Sequence, residues 1–280
     1  MTFLYEFRRE LYKAMRKFNG KIAVVTGAAM GNGLGITEVL SRGGCTVAMV
    51  DISDKVYGAA QKLMAQGYGV IPFTADVSDF ISVNNVMVKI AEEYGKIDIL
   101  VNNAGIIKVM SFLDMDDRTR DLHWNINING VWNCSKAVIP YMIKQKYGRI
   151  VNMSSVTGPM VVDTGETAYA ASKAAIWGLT KALAIEMAGF GISVNAVCPG
   201  YVDTPMAQQI ARESNPDDPD AVKRGIAAAV PLRRLATIQE IGQTVAFLAS
   251  DDASYITGTQ IVIDGGSTLP ETFGAVAYVD

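Results

Sequence analysis

Histidine is nearly absent from this 280-residue sequence; His123 is the single one. One imidazole excludes a multi-histidine metal site and any catalytic triad that does not use His123, so no metal is expected. Cysteine is scarce too. Cys45, Cys134 and Cys198 cannot all pair and none are spaced as CxxC, so a reducing, cytoplasmic setting is expected. Neither charge sign dominates: 25 Lys and Arg face 28 Asp and Glu, a net of −3. Nucleic-acid binding needs a basic footprint and is not expected. No apolar run approaches the roughly 18 residues of a membrane span. No Pro- or Ser-rich linker and no repeat divides the chain.

What is present is apolar bulk. Half of the residues are hydrophobic, enough for one large core. Phe3, Leu4, Phe7, Leu11 and Met15 fall at helical spacing among basic residues, which predicts a helical extension over residues 1–19. From Lys21 onward, β-branched apolar runs alternate with helical segments. The runs are Ile22–Val25, Thr46–Val50, Val70–Phe73, Ile97–Val101, Arg149–Asn152, Ser193–Val197 and Gln260–Ile263. Such alternation predicts a single α/β domain over residues 20–270, a parallel sheet with helices on both faces, followed by a tail over 271–280. A long helix is expected from Tyr169 through Met187. Thr237 followed by Glu240 reads as a capping box. Ala211–Arg224 reads as a polar, mobile insertion.

The unusual residues gather where the strands end. Thr26-Gly27-Ala28-Ala29-Met30-Gly31-Asn32-Gly33 stands between a strand and a helix. Glycines there let backbone approach a pyrophosphate at a helix N-terminus, though the same turn would serve a tight β–α connection. Asp51 ends the second strand. Its carboxylate suits a ribose 2′-hydroxyl and repels a 2′-phosphate, favouring NAD over NADP; alternatively it caps the next helix. Tyr169 and Lys173 lie one helical turn apart, where an ammonium would favour a phenolate acting as acid/base; a plain surface pair has the same spacing. Ser155 follows the fifth strand and either polarises a reacting oxygen or merely shapes a turn. Its surroundings, Asn152-Met153-Ser154-Ser155-Val156, are not a hydrolase elbow. His123 is assigned a structural place.

Taken together, TGAAMGNG, Asp76-Val77, Asn102-Asn103-Ala104-Gly105, Asn127 in N-I-N-G-V, Ser155, Y-A-A-S-K and P-G-Y-V-D-T resemble the short-chain dehydrogenase/reductase family over about residues 20–270. The resemblance implies a Rossmann-type doubly wound parallel β-sheet. It implies catalysis by Asn127, Ser155, Tyr169 and Lys173. It places the dinucleotide against Gly27, Gly31, Asn32, Gly33, Asp51, Asp76, Val77, Asn103, Ala104, Gly105, Tyr169, Lys173, Pro199, Gly200, Val202 and Thr204. Asn32 stands where the family usually carries isoleucine, and the Ser155–Tyr169 interval is one residue longer than its commonest form. The expected activity is NAD(H)-preferring interconversion of a small-molecule alcohol and its ketone or aldehyde, by a homotetramer built on two long helices, Tyr169–Met187 and a second that the resemblance implies over Asp116–Lys144. Met206–Ala228 is expected to be a variable loop, mobile without ligand, that closes over the substrate. A β-ketoacyl-carrier-protein reductase and a dinucleotide-binding regulator without turnover are the alternatives.

Overall fold

A computed structural model describes residues 17–270. The elements run β1 (Ile22–Thr26), α1 (Gly31–Arg42), β2 (Thr46–Asp51), α2 (Lys55–Ala65), β3 (Val70–Thr74), α3 (Phe80–Tyr94) and β4 (Ile99–Asn102). Next come α4 (Asp117–His123), a π turn (Trp124–Asn129), α5 (Gly130–Gln145), β5 (Gly148–Met153), α6 (Thr167–Met187) and β6 (Ile192–Pro199). Helices α7 (Pro205–Ser214), α8 (Pro219–Ala229) and α9 (Ile238–Ala249) then lead to β7 (Gln260–Ile263).

All seven strands pair in parallel, in the order β3-β2-β1-β4-β5-β6-β7. The inner strands are apolar because both their faces are covered; β1 reads IAVVT and is buried throughout. Pro72 in β3 costs no ladder bond to a further strand because β3 is an edge. Ile36, Leu40, Val56, Leu63, Ile241 and Val245 of α1, α2 and α9 fill the core on one face. Val83, Met87, Ile90, Val138 and Met142 of α3 and α5 fill it on the other. Winding reverses between β1 and β4, which opens a crevice at the carboxyl ends of those strands. The fold is therefore the expected doubly wound sheet.

Local chemistry sets the helix ends. Asp79 accepts a hydrogen bond from Ile81 N at 2.9 Å to open α3, and Gly95 at φ 74° closes it. Thr237 and Glu240 form the capping box that opens α9.

Two expectations need correction. The helix expected over Asp116–Lys144 is interrupted by the π turn, which carries Asn127. The polar stretch after Thr204 is two helices rather than a loop. Thr204 and Asp218 cap them, accepting hydrogen bonds from Ala207 N at 3.2 Å and Ala221 N at 2.9 Å, and Pro205 and Pro219 follow in their first turns. The extension expected over residues 1–19 lies outside the described residues except for Lys17–Asn19, which begin a turn, and so does the tail over 271–280. Among the described residues, no helix is long and apolar enough to cross a membrane.

Candidate active site

At the crevice, Gly27 has φ 64°, and a Cβ there would lie 2.9 Å from the Ala104 Cα. A Cβ on Gly33 would lie 2.1 Å from the Gly27 carbonyl oxygen. Only hydrogen atoms fit at these two positions. Thr26 holds the turn against the segment after β4, its hydroxyl oxygen accepting from Asn103 N and Ala104 N, each at 3.0 Å. The Asn103 amide donates back to Thr26 O at 2.9 Å and Gly27 O at 3.1 Å.

No side chain caps the N-terminus of α1 and no acidic residue stands in its first turn. The N–H groups of Gly31, Asn32 and Gly33 thus face an end with positive dipole character, which suits a pyrophosphate. Asn32 Oδ1 is buried there without a hydrogen-bond partner among the described residues. Asp51 accepts from Ala29 N and Ser53 N, each at 2.9 Å, so its carboxylate is fixed beside the turn. It does not cap α2; Asp54 occupies that position. These features fit a dinucleotide.

Across the crevice, Thr204 lies 3.7 Å from where a Gly31 Cβ would be. Gly200 packs on Asp264, and Val202 is buried in a bridge to Ala236. Asp76 folds back on Ser78, accepting from its N–H at 2.8 Å and its hydroxyl at 2.7 Å. Val77 packs against Gly130 at the start of α5.

The second group converges from β5, α6 and the π turn. Ser155 lies close enough to Tyr169 to hold its phenol down against burial. Ser154 instead donates to the Lys173 carbonyl at 2.9 Å, so it is Ser155 that meets the phenol. Lys173 Nζ donates to Met153 O at 2.8 Å and lies 5.5 Å from the Tyr169 ring centroid. Asn127 is fully buried; it accepts from Ile106 N at 2.9 Å and donates to Ile106 O at 3.0 Å and Ser172 Oγ at 2.9 Å. A Cβ on Gly105 would sit 3.3 Å from Asn127 Oδ1 and 3.5 Å from Lys173 Nζ, so these groups surround one small space.

Burial, opposed by Ser155, pushes the Tyr169 phenol up to about 12. Burial pushes the Lys173 ammonium down to about 8, opposed by Cys198. In the protein alone burial therefore disfavours the charged form of both groups, and for the phenol this is the reverse of what the Y-x-x-x-K spacing leads one to expect. Desolvation is the largest cause of both shifts.

Sequence spacing gives no role to Thr26, Glu166 or Tyr201. The first had a signal in the Thr-Gly pair that ends β1; the other two had none. His123 is fully buried, with Nδ1 2.8 Å from Thr119 O and Nε2 accepting from Lys108 N at 3.1 Å, as suits a structural residue. Pro199 ends β6 at the same edge.

The profile of a family described as "Enoyl-(Acyl carrier protein) reductase" matches residues 27–268. The oxidoreductase UcpA of Salmonella typhimurium is 58% identical over 258 residues, covering 92% of this chain and 98% of that protein. The 3-oxoacyl-[acyl-carrier-protein] reductase FabG of Thermotoga maritima is 40% identical, covering 90% and 100%. The crystal structure of levodione reductase superposes with a TM-score of 0.86 at 32% identity, covering 90% and 98%. The chain belongs to the short-chain dehydrogenase/reductase family and is an oxidoreductase that uses a nicotinamide dinucleotide.

Proposed function

We propose that the protein is an NAD(H)-preferring enzyme interconverting a secondary alcohol with its ketone, or a primary alcohol with its aldehyde. The observation that carries this reading is the convergence of Lys173 Nζ and Asn127 Oδ1 on one small space beside Gly105, with Ser155 acting on the Tyr169 phenol next to it. Bound nicotinamide dinucleotide supplies the hydride donor or acceptor and, when oxidised, a positive charge. Gly27, Gly31, Asn32 and Gly33 would hold it, together with Asp76, Val77, Asn103, Ala104, Gly105, Pro199, Gly200, Val202 and Thr204.

Tyr169 acts as the acid/base: its hydroxyl gives a proton to the carbonyl oxygen in reduction and recovers it in oxidation. Ser155 orients and polarises that oxygen. Lys173, as an ammonium, lowers the phenol and reopens the charged form that burial disfavours. Asn127 holds the turn at Ile106 and connects through Ser172 toward the helix of Tyr169, a position from which it supports a proton relay through water. Asp51 supports the preference for NAD, because a fixed carboxylate with no ion-pair partner among the described residues repels a 2′-phosphate.

Exposed Trp132 on α5 and Ile185 on α6 support assembly through those helices into a homotetramer, which light scattering tests. Free, buried thiols at Cys45, Cys134 and Cys198 support a cytoplasmic location. The carrier-protein reductase reading, raised by the Thermotoga relative's name, is opposed by Asp51 and the net negative charge.

The test is Tyr169→Phe, which removes the phenolic proton and keeps the ring. NADH binding, read by fluorescence, should persist while turnover falls by about 100-fold or more. A variant that retains most of its activity would overturn the assignment.

A further inference from the structure

Glu166 is the N-cap residue of α6, three positions before Tyr169, and its side chain caps no N–H of that helix. Its Oε2 is buried and has no hydrogen-bond partner among the described residues. The Thr157 hydroxyl and the Asp163 backbone act on the carboxylate from the β5–α6 connection. Its charge bears on the phenols of both Tyr169 and Tyr201, and the Tyr201 hydroxyl lies 3.5 Å from Oδ2 of Asp163, three residues before it. Burial, and then Asp163, push its carboxyl above the usual range. A buried acceptor without a donor is costly, and native proteins keep few of them. A donor arriving with the substrate would satisfy it.

The chemistry narrows that donor. A carboxylate on the substrate would meet the like charges of Glu166 and Asp163. An ammonium would be placed on the face of α6 that also carries Lys173. A neutral hydroxyl donates to Oε2 at the smallest desolvation cost.

We propose that Glu166 is a specificity-determining residue whose free carboxylate oxygen accepts a hydrogen bond from a second, neutral hydroxyl of the substrate, which makes diols and hydroxyketones the preferred class. The proposal rests on the reading of Tyr169 as the group that handles the reacting oxygen. The segment bearing Val109 and Met110 packs on Gly165, the residue before Glu166, with Met110 N donating to Gly165 O at 2.9 Å, and its apolar side chains suit the carbon skeleton.

A matched four-carbon series tests it: butane-2,3-diol, butan-2-ol, 3-hydroxybutyrate and 3-aminobutan-2-ol, each followed by NADH absorbance. The wild type should turn over the diol with a kcat/KM about tenfold or more above that of the mono-alcohol, and above those of the charged analogues. Glu166→Gln keeps an acceptor oxygen in the same shape and should retain part of the ratio. Glu166→Leu should bring it to near unity, and ligand-observed NMR should show weaker diol binding to that variant. Turnover of butan-2-ol without a diol preference, or a preference that survives Glu166→Leu, overturns the subsite and leaves the Tyr169 reading standing. A preference for the amine overturns the neutral-hydroxyl assignment. No turnover of any member overturns both readings.

Discussion

Gly33→Ala is the sharpest test of how the crevice is built. The added methyl would lie 2.1 Å from Gly27 O, 2.8 Å from Gly27 C and 2.7 Å from Asn103 Nδ2. An ordinary contact is about 3.5 Å, so the turn must give by about 1 Å or more. The obstructing atoms are mostly backbone, and Gly27 O is itself held by Asn103 Nδ2 at 3.1 Å. Overpacking costs about 1–3 kcal/mol and a lost hydrogen bond about 1 kcal/mol, for a total of about 3 kcal/mol. At roughly 2–4 °C per kcal/mol for a domain of this size, Tm should fall by about 6–12 °C. NADH affinity, read by fluorescence titration, should fall with it. Gly58→Ala is the matched control: Gly58 is exposed within α2, and a Cβ there meets nothing within 4 Å. Alanine there gains about 0.5–1 kcal/mol of helix propensity, so Tm should rise by about 1–4 °C. The reasoning is refuted if Gly33→Ala keeps the wild-type Tm and NADH affinity.

Asp51→Ala should narrow the preference for NAD over NADP, and adding Ile52→Arg should reverse it; equal kcat/KM for both cofactors in the wild type would sink the idea. Lys173 titrates near 8 when folded and at 10.5 when unfolded, so between those values the unfolded chain binds the extra proton and stability rises with pH. Cofactor-free wild type should therefore gain Tm from pH 8 to pH 10 relative to Lys173→Met, and parallel pH profiles would contradict the buried amine. Hydrogen exchange in α7 and α8 should slow when NAD and substrate are both bound, as expected of an element that closes over the substrate. Equal protection with and without ligands would make these helices a rigid insertion.

Legibility followed the range of the interactions. Strands buried on both faces, such as IAVVT in β1, are readable because burial demands an unbroken apolar run. The strand-end residues were readable too, since glycine, aspartate and asparagine are conspicuous against such runs. The π turn was not. An inserted residue in one turn leaves no mark in the pattern of neighbouring residue types, and its visible partners, the bonds between Asn127 and Ile106, join positions 21 residues apart. The polar arm after Thr204 was misread because α8 buries no residue and so shows no core stripe. Its real signals were Thr204-Pro205 and Asp218-Pro219, a capping side chain followed by proline. Glu166 was invisible for another reason: an unmet hydrogen bond belongs to a three-dimensional surrounding that no spacing rule contains.

The two sides of the crevice are fastened differently. Thr26, Asn103 and Ala104 stitch the glycine turn to the segment after β4 across 77 and 78 residues of chain. The α7–α8 arm buries little, and the connection Asn215–Asp218, exposed over its last three residues, joins its two helices. Substitution on the stitched side must satisfy several partners at once, whereas about half of the arm's positions are exposed. Over evolutionary time the arm can therefore be rewritten, lengthened or exchanged without loosening the grip on the dinucleotide. Substrate range is free to drift in this architecture while the redox partner stays fixed, and an engineer who wants a new substrate has 23 positions, Met206–Ala228, to vary before touching the cradle.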